Sequence, residues 1–128
     1  MAAKTQNRLG TSGILKCWLP VVVCMGFIFY TSSIPGQNIP AVFINQDIAF
    51  HFSIYLILGL LCARALKNAY TDMTAAKIIL FTLIFGVVYG ITDELHQAFV
   101  PYRTVSGLDV FNDGIGSLIG GLIYRWPR

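Results

Sequence analysis

Residues 93–116 read DELHQAFVPYRTVSGLDVFNDGIG, a polar stretch that joins two apolar segments of the chain. It contains four of the six acidic residues, one of the two histidines and an arginine. Charged side chains are costly inside apolar segments, and where they occur they usually mark a functional site. The stretch therefore indicates where a site lies, and the apolar segments on either side decide the fold around it.

The composition is that of a membrane protein. Of the 128 residues, 55% are hydrophobic and only 12% are charged, and the mean hydropathy is +0.66. A soluble domain carries about twice this charged fraction. The net charge of +3 comes from basic residues beside apolar runs, which is typical of membrane orientation and not of nucleic-acid binding. The three cysteines lie in apolar segments and do not suggest a disulfide framework.

Four apolar segments predict four helices. About 20 apolar residues are needed to cross a bilayer, and the predicted helices cover about residues 14–31, 47–66, 75–99 and 107–124. They form one transmembrane domain, 14–128, after an N-terminal tail, 1–13. Prolines and glycines indicate a loop over 31–46 and a tight link over 100–106. We expect Asp72 or Thr74 to cap the third helix. The fold class is thus an all-α antiparallel bundle of four transmembrane helices.

The basic residues predict the orientation. One end of the bundle receives all but one of them: Lys4, Arg8, Lys16, Arg64, Lys67, Lys77, Arg125 and Arg128. Only Arg103 falls at the other end. Because cytoplasmic loops carry the excess of lysine and arginine, both termini are expected in the cytoplasm.

The same topology gathers the polar residues at the outer end. The predicted binding residues are Asp47, His51, Tyr55, Asp93, Glu94, His96, Gln97, Arg103, Ser106, Asp109, Asn112 and Asp113. Spacings of three and four residues place them on shared helix faces. The first helix has no charge at this end, so we expect it to shield the others from lipid. Gly86-x-x-x-Gly90 and Gly116-x-x-x-Gly120 predict that helices three and four pack closely along their glycines.

The chemistry of this cluster leaves several interpretations open. Crowded carboxylates cannot all stay ionised, so some are protonated, a cation is bound, or the histidines are charged. Spacing suggests the pairs Asp47–His51 and Asp93–His96, while Arg103 could bridge to a carboxylate or bind an anionic ligand. A structural polar network, a ligand site and acid–base catalysis all fit, with Asp93, His51 and Asp109 as catalytic candidates. A divalent-metal site or a proton-coupled transport site is a further alternative. No metal or cofactor is predicted, because no ligand spacing requires one.

Three motifs in the chain resemble those of the VanZ-like family. The longest comprises Asp93, Glu94, Gln97, Phe99, Pro101, Arg103, Ser106, Asp109, Asn112 and Gly116. The earlier two comprise Phe29, Tyr30, Ser32, Ser33, Pro35 and Gly36, and then Asp47, His51, Phe52, Tyr55, Leu58 and Gly59. The family often has glycine where this chain has Tyr102.

The resemblance implies a small multi-pass protein of the bacterial cytoplasmic membrane and cell envelope. The founding member of the family is associated with resistance to teicoplanin, a glycopeptide antibiotic. We therefore expect the polar site to bind an envelope component, either a lipid head group or a lipid-linked peptidoglycan precursor. A membrane-embedded enzyme is the alternative. The expected partners are the lipid bilayer and such a precursor, without nucleic acid, and self-association stays open.

Overall fold

A computed structural model describes residues 9–125 as an all-helical bundle. The predicted tail residues 1–8 and the closing residues 126–128 lie outside this range. The four α-helices of the described chain are α1 (Thr11–Ser32), α2 (Gln46–Ala69), α3 (Ala75–Gln97) and α4 (Gly107–Arg125), and none of the described residues forms a strand. The predicted fold class is confirmed, and the helix bounds differ from the predicted ones by three residues or fewer.

Local sequence explains where the helices begin. Thr74 is the N-cap of α3, and its hydroxyl accepts a hydrogen bond from the backbone N–H of Lys77 (3.4 Å). The hydroxyl of Ser106 similarly accepts from the N–H of Leu108 (3.2 Å), just before α4. The predicted loop after α1 starts later than expected, because α1 continues through Ser32, and it contains a short 3-10 helix, Gly36–Asn38.

Three helices are long and apolar enough to cross a membrane: α1, α2 and α3. At 1.5 Å per residue, the 22 residues of α1 span roughly 33 Å, close to the thickness of a bilayer core. Helix α4 is less apolar because Asp109, Asn112 and Asp113 occupy its first two turns. It lies against both α2 and α3, and its two aspartates are buried. The predicted membrane protein is therefore confirmed, and α4 packs its polar face against α2 and α3 while side chains such as Phe111 (61% exposed) stay exposed.

Glycines determine how closely α4 approaches its neighbours. Gly86 and Gly90 of α3 face Ser117 and Asp113 of α4, so α3 packs on α4 along its glycines as predicted. The expected use of the α4 glycines is wrong, however. Gly120 faces the backbone of α2, as does Gly116, because α4 turns a second small-residue face toward α2.

A backbone contact joins the loop after α1 to the link between α3 and α4 at the polar end of the bundle. The N–H of Gly36 donates to the carbonyl of Pro101 (3.0 Å), and a Cβ at Gly36 would overlap the carbonyl oxygen of Tyr102. Tyr102 itself has φ = 59°, in the left-handed region. Glycine has no Cβ and adopts this conformation without steric cost. The glycine that the VanZ-like family often has at this position is therefore consistent with the observed turn.

Candidate functional site

The polar residues of α2, α3 and α4 meet at one end of the bundle, as their helical spacing predicts. Helix α4 lies between α2 and α3, so its buried face contacts the polar faces of both. The end of α1 and the link between α3 and α4 cover this cluster. The site is therefore built from all four helices, although three were expected to supply it.

His51 is the centre of the cluster. Its Nδ1 lies 2.8 Å from Oδ1 of Asp113, and its Nε2 lies 3.9 Å from Oδ2 of Asp109. Both His51 and Asp113 are buried, and Asp113 has no exposed surface. The predicted pair of His51 with Asp47 is wrong, because Asp47 is exposed and the imidazole turns toward α4. A carboxylate at Nδ1 orients the ring and determines the role of the other nitrogen.

Asp93 belongs to a second buried network. Its carboxylate accepts hydrogen bonds from the hydroxyl of Ser32 and from the side-chain amide of Gln97 (3.3 Å). The same amide group contacts the Ser32 hydroxyl (3.3 Å). These hydrogen bonds join the end of α1 to the last turns of α3. Helix α1 therefore contributes a hydrogen-bond donor to the site, in addition to the shielding role expected of it.

Sequence reasoning left Ser32 out of the site for an identifiable reason. The predicted first helix ended at residue 31, which placed Ser32 in a loop, whereas the observed helix includes it. The serine pair was part of the earliest motif, and that motif was the signal that could have found it. A serine at a helix end next to a buried carboxylate is a ready hydrogen-bond donor.

Arg103 lies in the link between α3 and α4, which covers the cluster, and among the described residues it has no carboxylate oxygen within 4.0 Å. Its Nη2 donates to the carbonyl of Thr31 (2.7 Å), and its Nε donates to the carbonyl of Ile34 (3.0 Å). These are carbonyls at the C-terminal end of α1, where a cation is favoured. Within residues 9–124 no lysine or arginine nitrogen lies within 4.0 Å of a carboxylate oxygen. The predicted bridge from Arg103 to Asp93 or Asp109 is therefore wrong.

His96 lies apart from the carboxylates. Its ring stacks on Phe29, with ring centroids 4.3 Å apart, and its Nε2 lies 2.9 Å from the hydroxyl of Ser33. The predicted pair with Asp93 is wrong, because Asp93 is buried and His96 lies on a more exposed face of α3. Its contacts join α3 to the end of α1.

The remaining predicted residues surround the cluster. One carboxylate oxygen of Glu94 accepts from the N–H of Ser106 (2.9 Å), which ties α3 to the start of α4. Tyr55 is fully buried below His51, and the two rings are stacked with centroids 6.3 Å apart. Asn112 is half-buried on α4, and its amide nitrogen has no hydrogen-bond partner among the described residues.

Two adjoining cavities open at this end of the protein. The smaller has a volume of about 160 Å³ and is polar; its lining includes His51, Gln97, Arg103 and Asp109. The larger is an apolar groove of about 560 Å³, lined by residues such as Ile34, Val42, Phe43 and Phe50. Ile39, Gln46, Asp47 and Arg103 line both cavities. A ligand with a polar and an apolar part would therefore find both surfaces side by side.

The cluster also brings together groups that bind metal ions. One ligand atom from each of His51, Glu94 and Asp109 lies within 4.8 Å of the others. Two of these residues, His51 and Asp109, line the polar cavity. No metal was expected from the sequence, since the three residues come from three helices and share no sequence spacing.

Comparison with known proteins identifies the family. No curated protein and no solved structure is similar enough to this chain to count as a match. A family model described as VanZ/LLP1 matches residues 17–128, which include all four helices except the start of α1 and all the residues of the cluster. Because this match covers most of the chain, the protein belongs to the VanZ/LLP1 family.

Proposed function

We propose that this protein binds an amphiphilic component of the bacterial cell envelope at the outer end of its bundle. The ligand would be a lipid head group or a lipid-linked peptidoglycan precursor, with its polar part in the polar cavity and its chain in the apolar groove. One observation carries the proposal: the two cavities adjoin and share lining residues, among them Asp47 and Arg103.

The sizes of the cavities support this division. Small-molecule sites usually have volumes of about 300–1,000 Å³. The polar cavity, at about 160 Å³, would accommodate only part of a head group, while the groove, at about 560 Å³, matches a segment of acyl or isoprenoid chain. Exposed apolar side chains such as Val42 and Phe43 (75% and 60% exposed) lie along the groove, where a hydrocarbon chain would cover them.

The binding proposal predicts a specific loss of lipid on blocking the groove. Protein purified from native membranes in a mild detergent would be examined by native mass spectrometry for retained lipids. Val42→Trp should lower the retained fraction because the indole would fill the groove, and Asp109→Asn should lower it by changing the polar cavity. Val23→Trp is the matched control, because Val23 lies on the exposed face of α1 (63% exposed). Equal retention by all four proteins would contradict the proposal.

A second candidate is an enzyme that acts on the same lipid-linked ligand. The arrangement that favours it is the Asp113–His51 pair, since a carboxylate on Nδ1 prepares an imidazole for acid–base work at Nε2. If the wild-type protein chemically changes the lipid during incubation and Asp93→Asn does not, the enzyme hypothesis is supported. Bound but unchanged lipid in both proteins would favour binding. A purely structural network predicts no retained lipid and a loss of thermal stability in Asp93→Asn.

We also propose that both termini are cytoplasmic in the inner membrane, which places the site on the outer side. A cysteine introduced by Tyr102→Cys should react with a membrane-impermeant maleimide in intact cells, because Tyr102 is 78% exposed in the covering loop. Asp72→Cys, in the exposed turn between α2 and α3, should react only after lysis. The native cysteines are buried and give little background. The reverse labelling pattern would overturn the orientation.

Family membership extends the proposal to antibiotic resistance. If the bound component is a target or precursor of glycopeptide action, expression of the protein should raise tolerance to teicoplanin. The Val42→Trp and Val23→Trp proteins provide the comparison, since only the first should lose that tolerance. Equal tolerance with and without the protein would contradict a role in resistance. It would not affect the proposal that the protein binds lipid.

A further inference from the structure

We propose that His51, Glu94 and Asp109 form a binding site for one divalent metal ion of the Zn²⁺ or Mn²⁺ class. The inference goes beyond the proposed function and does not depend on it, because metal binding is measured without any lipid. The three residues come from α2, α3 and α4, so a bound ion would join the three helices that contact one another at the polar end.

The distances match those between ligands of one ion. Nitrogen and oxygen ligands lie roughly 2.0–2.2 Å from Zn²⁺, so two ligands of the same ion are separated by at most about 4.4 Å. Nε2 of His51 and Oδ2 of Asp109 are 3.9 Å apart. This separation is too long for a direct hydrogen bond but suitable for two atoms that share an ion. The Glu94 carboxylate lies within 4.8 Å of both, so a shift of less than about half an ångström would bring it into the same range.

An unpartnered buried oxygen on Glu94 points independently to a ligand. Glu94 is 4% exposed, and its Oε2 accepts from the N–H of Ser106. Its Oε1 is buried and has no hydrogen-bond partner in the described structure. Buried carboxylate oxygens are normally hydrogen-bonded or bound to a metal ion. A cation between Glu94 and Asp109 would satisfy this oxygen and offset two carboxylates that no lysine or arginine nitrogen of residues 9–124 approaches within 4.0 Å.

The surroundings of His51 are those of a metal-binding imidazole. Histidine ligands usually donate their second ring N–H to a carboxylate, which fixes the ring and raises its basicity. Asp113, fully buried on α4, occupies this position at 2.8 Å from Nδ1 and leaves Nε2 directed toward Asp109. The polar cavity beside His51 supplies an entry path and room for water ligands.

The donor set indicates which ions would bind. Ca²⁺ takes six to eight oxygen ligands, and Mg²⁺ is usually bound through oxygen. One imidazole nitrogen with two carboxylates instead suits Zn²⁺ or Mn²⁺, with water completing the coordination.

The first experiment measures affinity. Protein without a polyhistidine tag, stripped by a chelator and held in a neutral detergent, would be titrated calorimetrically with ZnCl₂ and MnCl₂. One ion should bind per chain. Glu94→Gln keeps an oxygen for the Ser106 N–H but loses the charge, and it should weaken binding by at least about 100-fold, while Asp113→Asn should weaken it by roughly 10–100-fold. Asp72→Asn, which removes the charge of an exposed acid in the turn between α2 and α3, should leave affinity unchanged.

The second experiment does not depend on whether the Glu94 and Asp113 variants fold, because it uses the wild-type protein and two histidine variants. Pulsed electron paramagnetic resonance of Mn²⁺ bound to the wild-type protein should show coupling to one imidazole nitrogen. The chain has two histidines, which supply a matched pair of variants. His51→Asn should abolish the nitrogen signal, and His96→Asn should retain it. Absence of stoichiometric binding, absence of the nitrogen signal in the wild type, or its loss only in His96→Asn would each overturn the proposal.

Discussion

Replacing Asp113 by alanine is expected to lower the free energy of unfolding by roughly 3–5 kcal/mol, the usual cost of removing one partner of a buried ionic pair. Asp113 is fully buried, and it supplies the one hydrogen bond that the described residues make to the His51 ring. The substitution leaves this imidazole without its partner and opens a void beside Gly90, whose backbone faces the carboxylate. Denaturant or thermal unfolding in detergent, followed by circular dichroism, measures the loss.

Asp47→Ala is the control for this change. It removes the same carboxylate at the same end of the bundle, but Asp47 is exposed in the first turn of α2. The substitution removes a favourable interaction with the helix dipole, worth about 1 kcal/mol or less, together with a repulsion between Asp47 and Asp109. A double-mutant cycle with His51→Ala tests the pairing directly. If the effects of His51→Ala and Asp113→Ala simply add, the two side chains are not coupled and the centre of the site is misassigned.

Gly120→Ala is expected to cost roughly 1–3 kcal/mol of stability, the range for an added methyl group in a well-packed core. A Cβ at Gly120 would overlap the carbonyl oxygen of Leu56 and lie 2.7 Å from the N–H nitrogen of Leu60. Both atoms belong to the α2 backbone, so no side-chain rotation relieves the contact and the two helices must separate. Thermal unfolding in detergent should show a lower midpoint.

Gly26→Ala provides the matched comparison. Gly26 is also helical, on α1, but a Cβ there would meet no atom within 4 Å. Alanine has the higher helix propensity by about 1 kcal/mol, so this protein should be equally or more stable than the wild type. If the two alanine variants have the same midpoint, α2 and α4 are not in the close contact described for this bundle.

The fold followed from the sequence because each apolar segment has its own strong signal. The length and hydropathy of residues 14–31, 47–66 and 75–99 predict helices that cross a bilayer, whatever their neighbours are. The N-cap of α3 was narrowed to Asp72 or Thr74 for the same local reason, and the structure shows Thr74 in that role. The extension of α1 through Ser32 had no such signal, because serine is equally at home at a helix end and in a loop.

The site was predictable as a location and only partly as a set of contacts. Helical spacing correctly brought His51, Asp93, Asp109 and Asp113 to one end of the bundle. The partners predicted for His51, His96 and Arg103 were wrong, because they were inferred from neighbours in sequence. In the structure these side chains turn to other helices or to the end of α1. A spacing of three or four residues identifies which side chains share a face of one helix. It does not identify which group on a neighbouring helix each side chain contacts.

The sequence by itself determined that this is a helical membrane protein of the VanZ/LLP1 family with polar residues gathered at one end. These properties depend on hydropathy, helical period and motif order, all of which are local or cumulative along the chain. Only the tertiary structure decided that Gly116 and Gly120 of α4 pack on α2, that Ser32 donates a hydrogen bond to Asp93, and that His51 lies between Asp109 and Asp113. The physical reason is that helix rotation and close approach depend on which small residues meet across helices. The rotation of α4 against α2 in turn decides that, among the carboxylates of residues 93–116, those of Asp109 and Asp113 lie beside the His51 imidazole.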